Sequence, residues 1–148
     1  ADRVEVAINR ALGAGSGVVA ILIGAIITIS VQSSSITTSV LVPLAASGVL
    51  TLENIYPVTL GANVGTTVTA LLASLATGSP AAVTVALVHT LFNISGILAF
   101  YPLSRLRELP IKMANRLSGI AAERRSLALI YTLTMFIVIP LLGVLVLR

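Results

Sequence analysis

A stretch of 94 residues with a single formal charge constrains this chain more than any other feature. From residue 11 to residue 104, the only Asp, Glu, Lys or Arg is Glu53. A soluble domain carries roughly 25% charged residues, whereas this chain has 9% charged and 57% hydrophobic residues. An ordinary water-soluble globule, a disordered chain and a nucleic-acid-binding domain are excluded, since the basic residues are confined to the ends and one loop. The sequence therefore predicts an all-α membrane protein.

The first half of the chain divides into three apolar or amphipathic segments. Residues 1–13 place apolar side chains on one helical face, which predicts an amphipathic interfacial helix. Residues 17–50 are too long for one straight spanning helix and are interrupted by polar residues 32–35. Two short arms folded back as a re-entrant hairpin are favoured over a single kinked and tilted helix. In residues 51–77, two glycines flank an asparagine, which predicts a broken helix that restarts near Thr66.

The second half predicts two spans joined by a basic loop. Residues 81–101 form an apolar span that follows Pro80, and residues 126–147 form the last span, kinked at Pro140. Residues 102–125 are rich in Lys and Arg and contain a short amphipathic helix around residues 110–118. The positive-inside rule predicts that this loop is cytoplasmic. Because the chain begins at Ala1 rather than Met, we expect a piece of a longer protein.

The polar tetrad of residues 32–35 (Gln-Ser-Ser-Ser) is a candidate ion site. Non-helical backbone at membrane depth is tolerated only inside protein or around a cavity. The arm that follows the tetrad begins with free N–H groups, which suit an anion, and the arm before it ends in free carbonyls, which suit Na⁺. The alternative is that these side chains only hold two helices together. Four consecutive polar residues exceed what helix packing requires, which favours a functional site.

A second polar cluster lies in the predicted broken helix. Asn63, Thr66 and Thr67 follow an i, i+3, i+4 pattern that places them on one side of the restarted helix. Interrupted hydrophobic segments are typical of transporter sites near the membrane midplane. Since no basic residue accompanies either cluster, cation-coupled anion transport or a neutral substrate is favoured. An alternative for the second cluster is small-residue packing.

Three further polar residues have structural explanations. His89 and Asn93 are four residues apart on one predicted helix, which favours an interhelical hydrogen bond over a proton relay. Glu53 is expected in the first turn of its helix at the membrane edge. An enzyme is not expected, because His89 is the only histidine, the chain has no Cys, and no nucleophile-elbow motif is present.

Three motifs together resemble the type II sodium-dependent phosphate cotransporters. They are the tetrad, the stretch at residues 56–67 (Tyr-Pro-Val-Thr-Leu-Gly-Ala-Asn-Val-Gly-Thr-Thr) and the stretch from His89 to Pro102. The basic stretch at residues 107–114 is also similar to that family. Members have two inverted repeats that share one central site, and this chain resembles the second repeat. The resemblance implies one transporter repeat with an amphipathic N-terminal helix, a re-entrant hairpin, a discontinuous helix and two further spans.

The resemblance also implies the function, the ligands and the partners. It implies a symporter that uses the Na⁺ gradient to import inorganic phosphate, with Na⁺ as coupling ion and no cofactor. The expected phosphate ligands are Gln32, Ser33, Ser34, Ser35, Asn63 and Thr66. The expected Na⁺ ligands are Ser33, Ser34, Ser35, Thr37, Thr38, Asn63, Thr66 and Thr67.

The chain alone is expected to be unable to transport. Its expected partners are the lipid bilayer and either a missing first repeat or a second copy in opposite orientation, in a plasma or bacterial inner membrane. Two alternatives remain open. One is a Na⁺-coupled carrier of another oxyanion or a neutral solute, and the other is a non-transporting membrane subunit whose Ser and Thr residues are structural.

Overall fold

The computed structural model describes residues 17–147, and the helix predicted for residues 1–13 lies outside them. Within the described range the chain is helical and contains no strand, which confirms the all-α class. The described helices belong to two compact units, divided in sequence between Ser104 and Arg105. The first unit holds the tetrad and the second holds most of the basic residues.

The tetrad lies at the turn of a helical hairpin. Helix α1 (Val18–Val31) ends at Gln32, whose φ of 55° and ψ of 25° are left-handed. Ser33 is extended and caps helix α2 (Ser34–Ala46), because its Oγ accepts a hydrogen bond from the Ile36 N–H at 3.4 Å. The arms have 14 and 13 residues, so each is only about 20 Å long. The helices and turn match the predicted hairpin; that both ends lie on one side of a membrane stays a prediction.

Helix α3 (Leu52–Ala76) runs without interruption for 25 residues, so the predicted break in residues 61–65 is wrong. The glycines are needed for packing rather than for unwinding. A Cβ on Gly61 would overlap the Ile21 carbonyl oxygen of α1, and a Cβ on Gly24 would overlap the Val58 carbonyl oxygen of α3. A Cβ on Gly65 would lie 2.7 Å from the Ala25 carbonyl oxygen. Close backbone contact between helices thus outweighs the low helix propensity of glycine.

The apolar core of the first unit joins the hairpin to the start of α3. Its buried members come from α1, α2, the loop before α3 and α3 itself: Ala20, Leu41, Leu50, Ile55 and Val58. Thr51 caps α3 as expected, since its Oγ1 accepts a hydrogen bond from the Asn54 N–H at 3.4 Å. An apolar cavity of about 440 Å³ lies between the two hairpin arms.

Helix α4 (Pro80–Phe100) packs against α3 and agrees with the predicted span at residues 81–101. Pro80 occupies the first turn, where its missing N–H is harmless, and the Ser79 hydroxyl accepts a hydrogen bond from the Ala82 N–H. At the other end of α4, the Tyr101 ring lies 6.4 Å from the Tyr56 ring. The Tyr101 hydroxyl fills the space beside Gly17, whose φ of 74° favours glycine.

The second unit consists of a basic helix followed by one long apolar helix. Helix α5 (Ser104–Glu123) has 20 residues, so the short helix predicted at residues 110–118 is extended in both directions. Its length follows from leucine and methionine side chains that recur every three or four residues along one face. Helix α6 (Arg125–Leu133) continues through a π-helical segment (Thr134–Val138) into helix α7 (Ile139–Val146).

The π-helical segment ends two residues before Pro140, at which a kink is predicted. Pro140 has no N–H to donate to the carbonyl four residues earlier, and its ring would clash with that carbonyl. The wider turn of a π segment relieves this conflict. The helix therefore responds to Pro140 with a change of hydrogen-bond pattern over Thr134–Val138.

Three of the described helices are long and apolar enough to cross a membrane: Leu52–Ala76, Pro80–Phe100 and Arg125–Val146. The last is exposed along its length, with Val146 81% and Phe136 74% accessible. Apolar side chains in such numbers cannot face water, and a lipid environment accounts for them. The chain is therefore an all-α protein of the membrane.

Candidate functional site

The four residues of the tetrad differ in the hydrogen bonds that their side chains make. Ser33 uses an oxygen lone pair to cap α2, which leaves its hydroxyl proton available. In the described part of the chain, the side chains of Gln32, Ser34 and Ser35 make no hydrogen bond. The N–H groups of Ser34 and Ser35 lie in the first turn of α2, where no helical carbonyl can accept from them. The turn therefore presents several hydrogen-bond donors together.

An open recess of about 540 Å³, here called the polar recess, brings one member of the tetrad, Gln32, to α3. Gln32 contributes from the hairpin turn, and Thr66 and Thr69 contribute from one side of α3. The remaining lining is apolar and includes Ile29 and Ala73. The structure thus joins Gln32 to Thr66, two residues predicted to share a site. Thr69 was missed by the sequence analysis, although it lies one helical turn after Thr66.

Most threonine hydroxyls of the candidate site donate their proton to a carbonyl of their own helix or its cap. Thr66 donates to the Ala62 carbonyl at 3.1 Å and Thr67 to the Val64 carbonyl at 2.7 Å. Thr38 donates to the Ser34 carbonyl at 2.9 Å. A hydroxyl has one proton and two lone pairs. These threonines can therefore accept a hydrogen bond or coordinate a cation without losing an existing bond.

Thr37 is buried in a polar contact that connects the hairpin arms. Its Oγ1 lies 2.9 Å from Oγ1 of Thr28 and donates to the Ser33 carbonyl at 3.2 Å. Thr28 is fully buried and packs against Gly65 of α3. Thr28 was not predicted as a site residue, since its only signal in the sequence is a hydroxyl in the middle of an apolar arm. The pair fixes the start of α2 relative to α1 and α3.

Asn63 lies away from the polar recess. It lines a different recess of about 190 Å³ between α3 and α4, together with Tyr56 and Phe92. Its backbone carbonyl accepts a hydrogen bond from Nδ2 of Asn93 at 3.4 Å. The i, i+3, i+4 spacing keeps Asn63, Thr66 and Thr67 neighbours on the continuous α3. Their surroundings differ nevertheless: the first is exposed, the second half-buried and the third fully buried.

The interhelical hydrogen bond predicted for His89 or Asn93 is made by Asn93. The His89 side chain is exposed on α4. Glu53 is exposed in the first turn of α3, as predicted for a carboxylate at a helix start.

Charged side chains are nearly absent around both recesses. Glu53 is the only Asp, Glu, Lys or Arg between residues 17 and 103. Among residues 17–147, no three His, Asp or Glu side chains come together as metal ligands. A cation at either recess would therefore be held by neutral oxygens, and an anion by neutral donors and the helix dipole.

Comparison with known proteins identifies a family. The family model described as Na⁺/Pi-cotransporter matches residues 2–120. The sodium-dependent phosphate transport protein 2B of Pongo abelii is 50% identical over 129 residues, which cover 85% of this chain and 19% of that protein. Protein 2C of Mus musculus is 50% identical over 131 residues, covering 85% of this chain and 21% of that protein.

Protein 2A of Oryctolagus cuniculus is 46% identical over 128 residues, which cover 84% of this chain and 20% of that protein. The chain thus spans about a fifth of the length of these curated relatives. No solved structure matches the chain.

Proposed function

The chain belongs to the Na⁺/Pi-cotransporter family, and from this premise we propose that it is one repeat of a sodium-coupled phosphate symporter. The observation that carries the proposal is the division of polar atoms at the hairpin turn and α3. Serine and glutamine donors lie at the turn, and threonine lone pairs lie on the adjoining helices. A symporter of an anion and a cation needs both kinds of group close together.

Phosphate is assigned to the hairpin turn. The hydroxyls of Ser33, Ser34 and Ser35 and the Gln32 amide can donate hydrogen bonds, and the N–H groups that begin α2 add to them. The positive end of the α2 dipole favours an anion at the same place. The proposed phosphate ligands are therefore the four residues of the tetrad, and Thr66 lies across the polar recess from Gln32.

Sodium is assigned to hydroxyl oxygens whose protons are already donated to backbone carbonyls. Thr38 and Thr66 donate to carbonyls of their own helices, so each presents lone pairs only. Hard cations such as Na⁺ are held by hydroxyl and carbonyl oxygens of this kind. Thr37 and Thr67 are buried, and their use as ligands requires the hairpin to shift relative to α3. Asn63 would contribute through the recess that faces α4.

A second repeat would complete the site. The polar recess is open, and the apolar cavity between the hairpin arms is unfilled by residues 17–147. We propose that a first repeat of the same longer chain, or a second copy in opposite orientation, covers both. The hairpin would then be re-entrant, its turn would lie near the membrane midplane, and residues 102–125 would face the cytoplasm.

Radiolabelled phosphate uptake into proteoliposomes tests the assignment, using the longer transporter that contains this repeat. Ser34→Ala is expected to raise the KM for phosphate, because it removes a donor from the turn. Thr66→Val is expected to raise the apparent KM for Na⁺ more than that for phosphate. Ser39→Ala is the matched control, since Ser39 is exposed on α2 beyond the turn.

Two results would contradict the proposal. Uptake that stays Na⁺-dependent, with the phosphate KM of Ser34→Ala equal to that of Ser39→Ala, would remove the turn from the substrate site. Inhibition by sulfate as strong as inhibition by arsenate would favour a general oxyanion carrier over a phosphate carrier.

A further inference from the structure

Helix α5 has a basic side and an apolar side, and nothing in the proposed transport site uses either. Its leucine and methionine side chains recur at intervals of three or four residues: Leu106, Leu109, Met113 and Leu117. Met113 is 62% and Leu109 54% accessible, so this face is unpartnered within the second unit. Residues 105–125 contain six Lys or Arg and two Glu, a net charge of +4.

An open groove, here called the basic groove, lies between the part of α5 from Pro110 to Ile120 and Tyr131 of α6. Its volume is about 540 Å³, and it is lined by Pro110, Met113, Ala114, Arg116, Leu117, Ile120 and Tyr131. Six of these seven side chains are apolar or aromatic, and Arg116 is the only charged one. The groove therefore combines an apolar channel with one cation.

Lys112, which supplies the only ammonium group of α5, is already paired with a carboxylate. Lys112 donates a hydrogen bond to the Glu108 carboxylate at 2.8 Å, and this contact holds the pKa of Glu108 below its usual value. Arg116 is exposed and makes no ion pair within residues 17–147. An anion at the basic groove would thus meet the Arg116 guanidinium, which can donate two parallel hydrogen bonds to a phosphate group.

The connectivity places α5 along a membrane surface. It follows α4 and precedes the helix Arg125–Val146, both of which are long and apolar enough to span. The segment between two successive spans begins and ends on the same side, and α5 itself does not have the composition of a span. A basic amphipathic helix in that position lies in the headgroup layer.

We propose that the basic groove binds one anionic phospholipid, with an acyl chain in the apolar channel and the headgroup phosphate at Arg116. Clusters of four to eight basic residues beside a spanning helix are typical of anionic lipid recognition. The apolar lining selects a lipid over free phosphate, because a free ion gives Met113, Leu117 and Ile120 nothing to contact. The proposal rests on membrane placement and is independent of the transport site.

Native mass spectrometry of the 148-residue chain tests it, after reconstitution in nanodiscs of equimolar phosphatidylcholine and phosphatidylglycerol. The chain is expected to retain phosphatidylglycerol in preference to phosphatidylcholine. Arg116→Gln should lower that retention about five-fold, the effect of one basic residue near an anionic surface. Arg105→Gln removes the same charge from an exposed position of α5 outside the groove and should leave retention nearly unchanged.

A second measurement follows lipid binding by fluorescence. Because the chain has no cysteine, a single introduced cysteine can be labelled specifically. An environment-sensitive fluorophore on Leu109→Cys, on the apolar face but outside the groove, should shift to the blue when phosphatidylglycerol is added. Arg116→Gln should reduce that shift.

Four results would overturn the proposal. They are equal retention of the two lipids, equal losses for Arg116→Gln and Arg105→Gln, and displacement of the lipid by inorganic phosphate. The fourth is a loss of dimer mass rather than of lipid in Arg116→Gln, which would identify a second copy of the chain as the occupant.

Discussion

Gly61→Ala distinguishes two explanations of the glycines in α3, because one predicts that the substitution stabilises the protein and the other that it destabilises it. If these glycines weakened the helix, alanine would stabilise the protein by about 1 kcal/mol through its higher helix propensity. In the structure, the new Cβ would overlap the Ile21 carbonyl oxygen and lie 2.7 Å from its carbonyl carbon. Ordinary contact requires about 3.5 Å. The carbonyl oxygen is nearer than the carbon, so α1 and α3 must move apart by more than about 1 Å.

That separation weakens the largest helix–helix contact in the first unit, which also includes Gly24 and Gly65. Overpacking of a close interface costs about 1–3 kcal/mol, and the gain in helix propensity offsets part of it. We therefore expect Gly61→Ala to destabilise the 148-residue chain by about 1–2 kcal/mol. Backbone atoms receive the new methyl group, so no flexible side chain can relieve the contact.

Unfolding of the chain in mixed micelles by increasing sodium dodecyl sulfate, followed by circular dichroism, measures the change. Gly96→Ala is the matched control: Gly96 lies inside α4, and a Cβ there has no neighbour within 4 Å. The control should be neutral or stabilising by up to about 1 kcal/mol. Equal stabilisation by Gly61→Ala and Gly96→Ala would refute the packing explanation and would support the alternative, that the glycines weaken helix α3.

Three further changes have expected outcomes in the same protein. Thr28→Val should lower the free energy of unfolding by about 1 kcal/mol. The double variant with Thr37→Val should lose less than the sum of the two single losses, because the two hydroxyls are hydrogen-bonded to each other. Additive losses in the same unfolding assay would contradict this pairing. Pro140→Ala should allow Thr134–Val138 to become α-helical, seen as slower amide exchange there, and unchanged exchange would argue against the proline as the cause. Acidification should lower the helicity of α5, because the pairing with Lys112 lowers the pKa of Glu108. A carboxylate with a lowered pKa stabilises the helix at high pH, and this stabilisation is lost as the pH falls through the lowered pKa. Lys112→Gln should remove that part of the circular-dichroism titration, and identical titrations would contradict the pairing with Glu108.

The helix boundaries could be predicted well where a residue type has one structural meaning. Pro80 and Ser79 begin α4, and Thr51 begins α3, because proline and side-chain caps favour the first turn. Glycine has two meanings in a membrane helix. Gly61 and Gly65 are four residues apart, the spacing by which small residues bring two helices into close contact. That spacing was the signal in the sequence for a continuous α3. It does not identify the partner helix, and the close contact with α1 is seen only in the structure, where Gly24 of α1 also lies against the α3 backbone.

The candidate site was predicted less completely than the helices. The turn residues 32–35 were recognisable as a polar interruption, and their position between α1 and α2 followed from that. The surroundings of each α3 side chain did not follow, because they depend on where α1 and α4 pack around α3. Residues at i, i+3 and i+4 span an arc of about 100° on a helix, which is wide enough to meet different neighbours: Asn63 lines the recess beside α4, whereas Thr67 is fully buried. Spacing along one helix therefore predicts a shared side of that helix but not a shared partner.

The scarcity of charge gives a physical reason for coupling in the proposed transporter. With no fixed positive charge among residues 17–103, the neutral donors of the turn must hold a phosphate anion unaided unless a cation is bound beside it. Sodium on the lone pairs of Thr38 or Thr66 would supply that charge only while it is bound. Linkage then requires that phosphate raise the affinity for Na⁺ by the same factor. A permanent arginine would bind phosphate without Na⁺ and remove this dependence, so the neutrality of the site is what would make the two ions bind together.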